Sequence, residues 1–178
     1  MDLGGAGKLY GVKPDLVCVG KAMANGYPIA AVCGIRDVMK LAEKQVFISS
    51  TYFPNSLEMA AALKTIEILQ RDNVLDVVRQ KGEGFVRRLS DLVDRSGVPA
   101  HVSPVPQMPF ITFPEDPADP AKAYRKRRTT FYTEIIRRGV FLQPYHHGYI
   151  CYRHTDSDLE QAVRAVEAAL AIVKDEVG

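Results

Sequence analysis

The sequence predicts an α/β fold, and three observations indicate it. Residues 16–19 form a short, uninterrupted apolar run, which is typical of a strand buried on both faces of a parallel sheet. Residues 55–71 and 74–95 carry apolar side chains at helical spacing. Toward the carboxyl end, short strand patterns interrupted by prolines alternate with further helical patterns. We therefore expect helices and short strands to alternate along the chain, with a small α/β domain at its carboxyl end.

Turn and capping residues set the remaining elements in order along the chain. A Gly-Tyr-Pro turn predicts a second strand at residues 29–32, and Asp37 can cap a helix over residues 38–44. Asn55 is a cap for the next helix, and Gly97 ends the helix after it. Beyond these, strands and helices are predicted at residues 101–105, 110–113, 121–138, 140–143 and 149–153, before a last helix capped by Thr155 and Asp156.

Length and composition indicate an ordinary globular protein. The chain has 178 residues, of which 47% are hydrophobic and 25% charged, so it can bury a core. A net charge of +2 and scattered basic residues argue against nucleic acid or an anionic membrane as the main partner. No stretch approaches the roughly 18 apolar residues of a membrane span, and the first residues lack the pattern of a signal peptide. We therefore expect a cytoplasmic protein.

Cysteine and histidine spacing gives no metal site. The three cysteines, Cys18, Cys33 and Cys151, lie in apolar contexts, which favours buried free thiols. His146 and His147 are adjacent, so on an extended segment their rings would point to opposite sides and would not share a metal ion. We expect no bound metal.

Lys21 is the first candidate for chemistry. It follows Gly20 and therefore lies at the carboxyl end of the strand predicted at residues 16–19. In open α/β sheets, ligands bind outside the carboxyl ends of the strands, and the Ala-Asn-Gly turn at residues 24–26 adds flexibility. A solvated lysine at a strand end is the alternative interpretation.

A cluster of hydroxyl side chains precedes the helix predicted from Asn55. Ser50 and Thr51 stand in the run Ser-Ser-Thr-Tyr at residues 49–52. The free amides and the dipole at the start of a helix favour an anion, so hydroxyls at such a place are good phosphate ligands. Ordinary turn or capping chemistry is the alternative.

Residues 14–34 read PDLVCVGKAMANGYPIAAVCG. This stretch resembles the cofactor-lysine segment of class III aminotransferases, which are fold-type I enzymes dependent on pyridoxal phosphate (PLP), and it most resembles the glutamate-1-semialdehyde 2,1-aminomutase branch. The resemblance runs from about Gly4 to the end. It implies that residues 1–70 are the remainder of the PLP-binding large domain with a connecting helix, and that residues 71–178 form the small carboxyl-terminal α/β domain. The implied reaction transfers an amino group on an amino acid, an amino sugar or glutamate-1-semialdehyde, with small-molecule donors and acceptors.

The resemblance also implies roles for individual residues. In the family the matching lysine holds PLP as a Schiff base, which gives Lys21 the catalytic and cofactor-binding role. A Schiff base needs a neutral amine, which desolvation and nearby positive charge favour. The family's phosphate-binding threonine corresponds to Thr51, and Ser50, which replaces the glycine before it, is included as a phosphate ligand. That threonine commonly serves the neighbouring subunit, so a homodimer is implied.

The carboxyl-terminal residues contribute two candidates for substrate binding. Residues 138–147 resemble the R-G-V-x-x-x-P segment near the end of aminomutase chains. For His146 we expect a place in a loop near the substrate. Arg153 could bind a substrate carboxylate through bidentate hydrogen bonds, and a structural salt bridge is the alternative.

Two other hypotheses compete with an active aminotransferase. In the family, the aspartate that pairs with the pyridine nitrogen and the glycine-rich phosphate turn lie upstream of the matched portion. The chain could therefore be a truncated or split, non-catalytic piece that needs a complementary amino-terminal half. A weaker alternative is a Schiff-base aldolase or lyase that uses Lys21 without PLP.

Overall fold

The computed structural model describes residues 2–177 except 50, 52 and 54. The chain divides into two compact units, with the boundary between Leu75 and Asp76. Helices and short strands occur in both units, which agrees with the predicted α/β class. Within the described residues, no helix is long and apolar enough to cross a membrane.

The first unit consists of two strands and short helices that precede one long helix. In chain order its elements are α1 (Gly5–Leu9), β1 (Leu16–Val19), a 3-10 turn (Lys21–Met23), β2 (Ala31–Gly34), α2 (Arg36–Met39), a second 3-10 turn (Lys40–Glu43) and α3 (Ser56–Arg71). β1 has the predicted bounds. β2 begins two residues later than predicted, because the amide of Ile29 still donates to the carbonyl of Tyr27 within the preceding turn.

β1 and β2 form an antiparallel pair, with Leu16 opposite Gly34. The prediction of a strand buried on both faces of a parallel sheet is wrong for this pairing, because every residue of β1 is exposed. An apolar run shows that a strand has side chains suited to burial. They are buried only where other elements cover both faces of the sheet. None of the described elements of the first unit forms a covering layer over β1.

Much apolar surface of the first unit is exposed. Phe47 is 92% exposed, and Val32 and Leu63 are also well exposed. Among the described residues of this unit, only Ala24, Glu58, Ala62 and Val74 are buried. The predicted burial of the three cysteines is wrong as well, since all three are exposed free thiols: Cys18 and Cys33 in this unit, and Cys151 in the second.

The helix predicted at residues 38–44 forms in two parts. α2 covers Arg36–Met39 and continues directly into the second 3-10 turn. Asp37 lies in the first turn of α2, and Ile35 occupies the N-cap position with no side-chain cap bond. The expected cap by Asp37 is therefore wrong, although an acidic residue still favours the start of a helix.

α3 begins where Asn55 predicts. The Oδ1 atom of Asn55 accepts a hydrogen bond from the Leu57 amide at 3.1 Å. Along the exposed side of α3, an ion pair of 2.8 Å joins Lys64 and Glu67. Glu58 has the spacing for a reciprocal cap bond, but it is buried, and its Oε2 atom has no hydrogen-bond partner among the described residues.

The second unit has a core built from helices. Its elements are most of α4 (Val74–Ser96), β3 (His101–Val102), β4 (Ile111–Thr112), α5 (Ala123–Arg137) and α6 (Asp156–Val177). β3 and β4 pair antiparallel, and α5 packs against α6. The largest fully buried side chains lie on these two helices, at Phe131, Ile135, Val166, Leu170 and Val173. The last three lie on α6, which confirms the helix predicted at the carboxyl end.

The strands predicted at residues 140–143 and 149–153 do not form, because this segment cannot complete a ladder. Its amides make two separate bonds to a proline-rich loop, from Gly148 to the carbonyl of Pro109 at 2.9 Å and from Ile150 to the carbonyl of Gln107 at 3.0 Å. Pro109 has no N–H to return a bond. The segment is therefore a tethered loop.

Glycines and a capping box set the helix ends of the second unit. Gly97 and Gly139 follow α4 and α5 with φ of +71° and +80°. At the start of α6, the Asp158 amide donates to Thr155 Oγ1 at 3.2 Å, and the Thr155 amide donates to Asp158 Oδ2 at 2.7 Å. These ends agree with the predicted stop and cap residues.

Candidate active site

The turn at Lys21 is the most unusual backbone feature of the first unit. Gly20 is extended after β1, and Lys21 then begins a 3-10 turn with φ of +47°. A residue with a side chain rarely adopts this left-handed region, and such outliers concentrate at functional sites. The turn closes through a hydrogen bond of 3.0 Å from the Met23 amide to the Gly20 carbonyl. Ala24, only 2% exposed, anchors its end.

The side chain of Lys21 is exposed and forms no ion pair with a described residue. In the first unit, ion pairs join Lys8 to Asp2, Lys64 to Glu67, and Arg71 to both Glu67 and Asp72. Among the described residues, no carboxylate lies within ion-pair distance of the Lys21 amine. The Lys21 amine is therefore accessible to solvent and to a ligand, without a competing ion pair among the described residues.

The hydroxyl cluster is only partly described. Thr51 is exposed and lies in a turn before α3, and Ser50 lies outside the described residues. Across the residues that the structure describes, no hydrogen bond joins Thr51 to Lys21. Both are in the first unit. The structure therefore leaves the Thr51 hydroxyl accessible to a ligand without bringing it into contact with the lysine.

His146 and His147 form a ring cluster with Tyr149 in the second unit. The two imidazole rings stack with centroids 4.4 Å apart and an interplanar angle of 27°. His147 Nε2 lies 2.8 Å from Tyr149 Oη. The expectation that the two rings point to opposite sides is wrong, because a turn and a bend replace the extended segment on which it relied. Among the described residues, no group of three potential ligands could hold a metal ion.

This cluster lines a cavity of about 570 Å³ in the second unit. The loop at residues 139–150 and helices α4, α5 and α6 provide its walls. Apolar side chains such as Phe85, Leu89 and Leu142 dominate the lining, and His146, His147 and Tyr149 supply polar groups. An apolar hollow with a few convergent polar groups is the usual form of a small-molecule site.

Arg153 lies at a different hollow of the second unit. It lines an open depression together with Lys81 and Tyr152. The Lys81 amine is bound to backbone there, donating to the Tyr152 carbonyl at 2.9 Å and to the His154 carbonyl at 2.6 Å. Arg153 itself is exposed. The structure therefore does not bring His146 and Arg153 to one hollow.

Sequence reasoning missed several interactions of polar and aromatic side chains, and two of them involve the segment around His146. One is the bond between His147 and Tyr149, whose alternating spacing in the segment His-His-Gly-Tyr could have indicated it. The other joins Arg128 on α5 to Tyr145, 17 residues later in the sequence. A separation of that size leaves no local pattern from which the second contact could be found.

Comparison with known proteins gives a family and several relatives. The family model described as "Aminotransferase class-III" matches residues 4–170. The chain is 55% identical over 172 residues to 3-aminobutyryl-CoA aminotransferase of Cloacimonas acidaminovorans, covering 97% of this chain and 41% of that protein. It is 31% identical over 179 residues to glutamate-1-semialdehyde 2,1-aminomutase of Methanocella arvoryzae, covering 96% and 42%. The chain thus spans about two-fifths of the length of these relatives.

Solved structures give the same fold. The FumI protein of Sphingopyxis sp. MTA144, in its PLP internal aldimine form, superposes with a TM-score of 0.83 at 27% identity over 95% of this chain and 39% of that one. An omega-transaminase from Sphaerobacter thermophilus superposes with a TM-score of 0.85 at 23% identity, over 97% of this chain and 42% of the other. The second likeness is one of fold alone.

Proposed function

The chain belongs to the class III aminotransferase family, and from this premise we propose that it is part of a PLP-dependent aminotransferase or aminomutase. The observation that carries the proposal is Lys21: an exposed lysine at a strand end, in a left-handed conformation, with no ion pair to a described residue. Strained backbone at the carboxyl end of a strand is typical of an active site or a ligand-binding site.

The residues present suit PLP. Lys21 would hold the cofactor covalently through its Nζ atom, and Thr51, which is also exposed in the first unit, would bind the phosphate together with Ser50. When bound, PLP supplies an electron sink for cleavage of a bond to the substrate's amino-bearing carbon. Once the substrate's amine has displaced Lys21 from the cofactor, the Lys21 Nζ atom would accept the proton from that carbon and deliver it to the cofactor, so that the amino group can leave the substrate.

The amino substrate that we propose is a β-amino acyl-CoA thioester. The support is the 55% identity to 3-aminobutyryl-CoA aminotransferase, against 31% to glutamate-1-semialdehyde 2,1-aminomutase. Internal amino migration on glutamate-1-semialdehyde is the alternative reaction.

Cofactor binding can be tested on the chain itself. Addition of PLP should give a yellow protein that borohydride fixes irreversibly, and Lys21→Ala should abolish both effects. Lys13→Ala is the matched control, because Lys13 is another exposed lysine of the first unit. A trapped adduct in Lys21→Ala that equals the wild-type yield would exclude Lys21 from the proposed role.

A second proposal concerns assembly. The exposed apolar side chains of the first unit, such as Phe47 and Val32, favour a partner surface. In agreement with the family resemblance we propose a homodimer in the complete enzyme, with a non-catalytic piece that requires a complementary amino-terminal half as the alternative. Light scattering on the chain distinguishes them: a monodisperse dimer with turnover would remove the alternative.

The cytoplasmic location stays a prediction from the sequence, which cell fractionation tests.

A further inference from the structure

Four consecutive cations on α5, residues 125–128, stand apart from the other basic residues of the second unit. None of the four forms an ion pair with a described carboxylate. Lys126 donates instead to the backbone carbonyl of Glu176 at 3.0 Å. By contrast, most other arginines of this unit are paired with a carboxylate: Arg79, Arg88, Arg137, Arg138 and Arg164. These four side chains therefore have no carboxylate within ion-pair distance among the described residues, although Glu115 lies close enough to act electrostatically on Arg125.

Two of these cations are held in place by tyrosines. Arg128 Nη2 donates to Tyr145 Oη at 2.6 Å, and its guanidinium carbon lies 4.2 Å from the centre of the Tyr145 ring. Arg125 Nε donates to Tyr124 Oη at 3.0 Å. We call Tyr124, Arg125, Arg128 and Tyr145 the Arg-Tyr cluster. Each guanidinium keeps several N–H donors for a ligand, and its position is fixed in advance.

The chemistry of the cluster selects a phosphorylated nucleotide. Guanidinium groups bind phosphate through paired, charge-assisted hydrogen bonds. Tyr145 is 75% exposed, so its ring offers a surface on which a base can stack. An inorganic anion would bind the arginines but could not stack on the aromatic ring.

Nearby acidic residues limit the length of the ligand. Tyr124 Oη also donates to Glu115 Oε1 at 2.8 Å, and Asp119 receives the amide of Ala123 at 2.7 Å at the start of α5. A long polyanion such as RNA would meet these carboxylates, whereas a short polyphosphate that carries one base would not need to.

We propose that the Arg-Tyr cluster binds the phosphorylated adenosine end of coenzyme A, with the phosphates on Arg125 and Arg128 and the adenine on Tyr145. The proposal rests on the acyl-CoA substrate class proposed above and names the residues that recognise it. No covalent step is involved. A free adenosine nucleotide shares this chemistry, and the test separates the two sources.

Equilibrium titration of the chain with four probes measures each part of the ligand. The probes are coenzyme A, dephospho-coenzyme A, ADP and pantetheine. We expect coenzyme A to bind most tightly, dephospho-coenzyme A more weakly for lack of the 3′-phosphate, and pantetheine most weakly. ADP that binds as tightly as coenzyme A would assign the cluster to a free nucleotide and overturn the proposal.

The decisive variant is Arg125→Gln/Arg128→Gln. It should weaken coenzyme A binding about 30-fold or more, on the basis of roughly one charge-assisted hydrogen bond lost at each guanidinium, and leave pantetheine unchanged. Tyr145→Ala should weaken coenzyme A about tenfold through lost stacking. The control Arg87→Gln/Arg95→Gln removes the same charge from two exposed positions of α4 and should stay within about twofold of wild type.

Other outcomes are equally informative. Unchanged coenzyme A affinity in Arg125→Gln/Arg128→Gln, or an equal loss in the control, would contradict the proposal. If the double glutamine variant does not fold, Arg125→Lys/Arg128→Lys keeps the charge but lacks the planar fork, and it should still lose several-fold in affinity. Borohydride trapping of PLP at Lys21 does not depend on these residues, so failure of the cofactor proposal and failure of the coenzyme A proposal are separately visible.

Discussion

The hydroxyl of Tyr132 donates a 2.7 Å hydrogen bond to the carbonyl oxygen of Ile111 and thereby joins α5 to β4. Both residues are buried, with Tyr132 only 3% exposed. Burial raises the pKa of the Tyr132 phenol, so the hydroxyl stays protonated and remains a donor. This contact holds the small sheet of the second unit against its helical core.

Removal of that hydroxyl should destabilise the protein. Tyr132→Phe leaves the Ile111 carbonyl buried without its donor, which costs about 1–3 kcal/mol of the free energy of unfolding. Urea denaturation followed by circular dichroism measures the change. Tyr27→Phe is the control, because Tyr27 is exposed and should have little effect. Equal stability of the two variants would show that the bond contributes nothing.

Two glycines of the second unit should respond in opposite directions to the same substitution. Gly97 ends α4 with φ of +71°, and an alanine there would cost about 1 kcal/mol or more, although no atom obstructs its Cβ. Gly84 lies inside α4, where a methyl group would also meet open space, so Gly84→Ala should stabilise the helix by about 0.5–1 kcal/mol. Thermal melting of the pair gives the signs, and the same sign for both would contradict the backbone argument.

Stability at acid pH should depend on Asp158. The Thr155 amide, and then its hydroxyl, donate to this carboxylate and hold the pKa of Asp158 below its ordinary value. A lowered folded-state pKa contributes stability above the unfolded-state value of about 3.9, and that contribution disappears as pH falls through the folded-state pKa. Asp158→Asn should therefore be less stable than wild type at neutral pH, and the difference should shrink below about pH 4.

Denaturation of both proteins across this pH range provides the measurement. Asp94→Asn is the control, since Asp94 is an exposed carboxylate of α4 outside the capping box. A difference between Asp158→Asn and wild type that stays constant from neutral to acid pH would mean that the capping box does not act through its charge.

The sequence predicts the helices better than the sheets, and the reason is physical. α3, α4 and α6 are specified by local signals: the cap at Asn55, the stop at Gly97 and the capping box at Thr155 lie within a few residues of the ends that they set. Sheet pairing depends on partners distant in sequence. The apolar run of β1 therefore predicts a strand correctly but cannot indicate an exposed, antiparallel pair.

The candidate site could likewise be predicted from the sequence only where local residues determine it. Lys21 is identifiable from its place after an apolar strand and from the residues around it, but its left-handed backbone is not, because no residue pattern prescribes positive φ for a lysine. The stacking of His146 on His147 depends on a turn where the sequence predicts an extended segment. The bond between Arg128 and Tyr145 joins a helix to a loop and is visible only in the folded chain.

The position of the PLP adduct is the decisive test of the role proposed for Lys21. Wild-type chain is mixed with PLP, reduced with borohydride and digested, and the modified peptide is identified by mass spectrometry. We predict one major pyridoxyl group, on the peptide that contains Lys21 and at the Lys21 Nζ atom. An adduct spread over the surface lysines, or none at all, would contradict the assignment of Lys21 as the cofactor-binding residue.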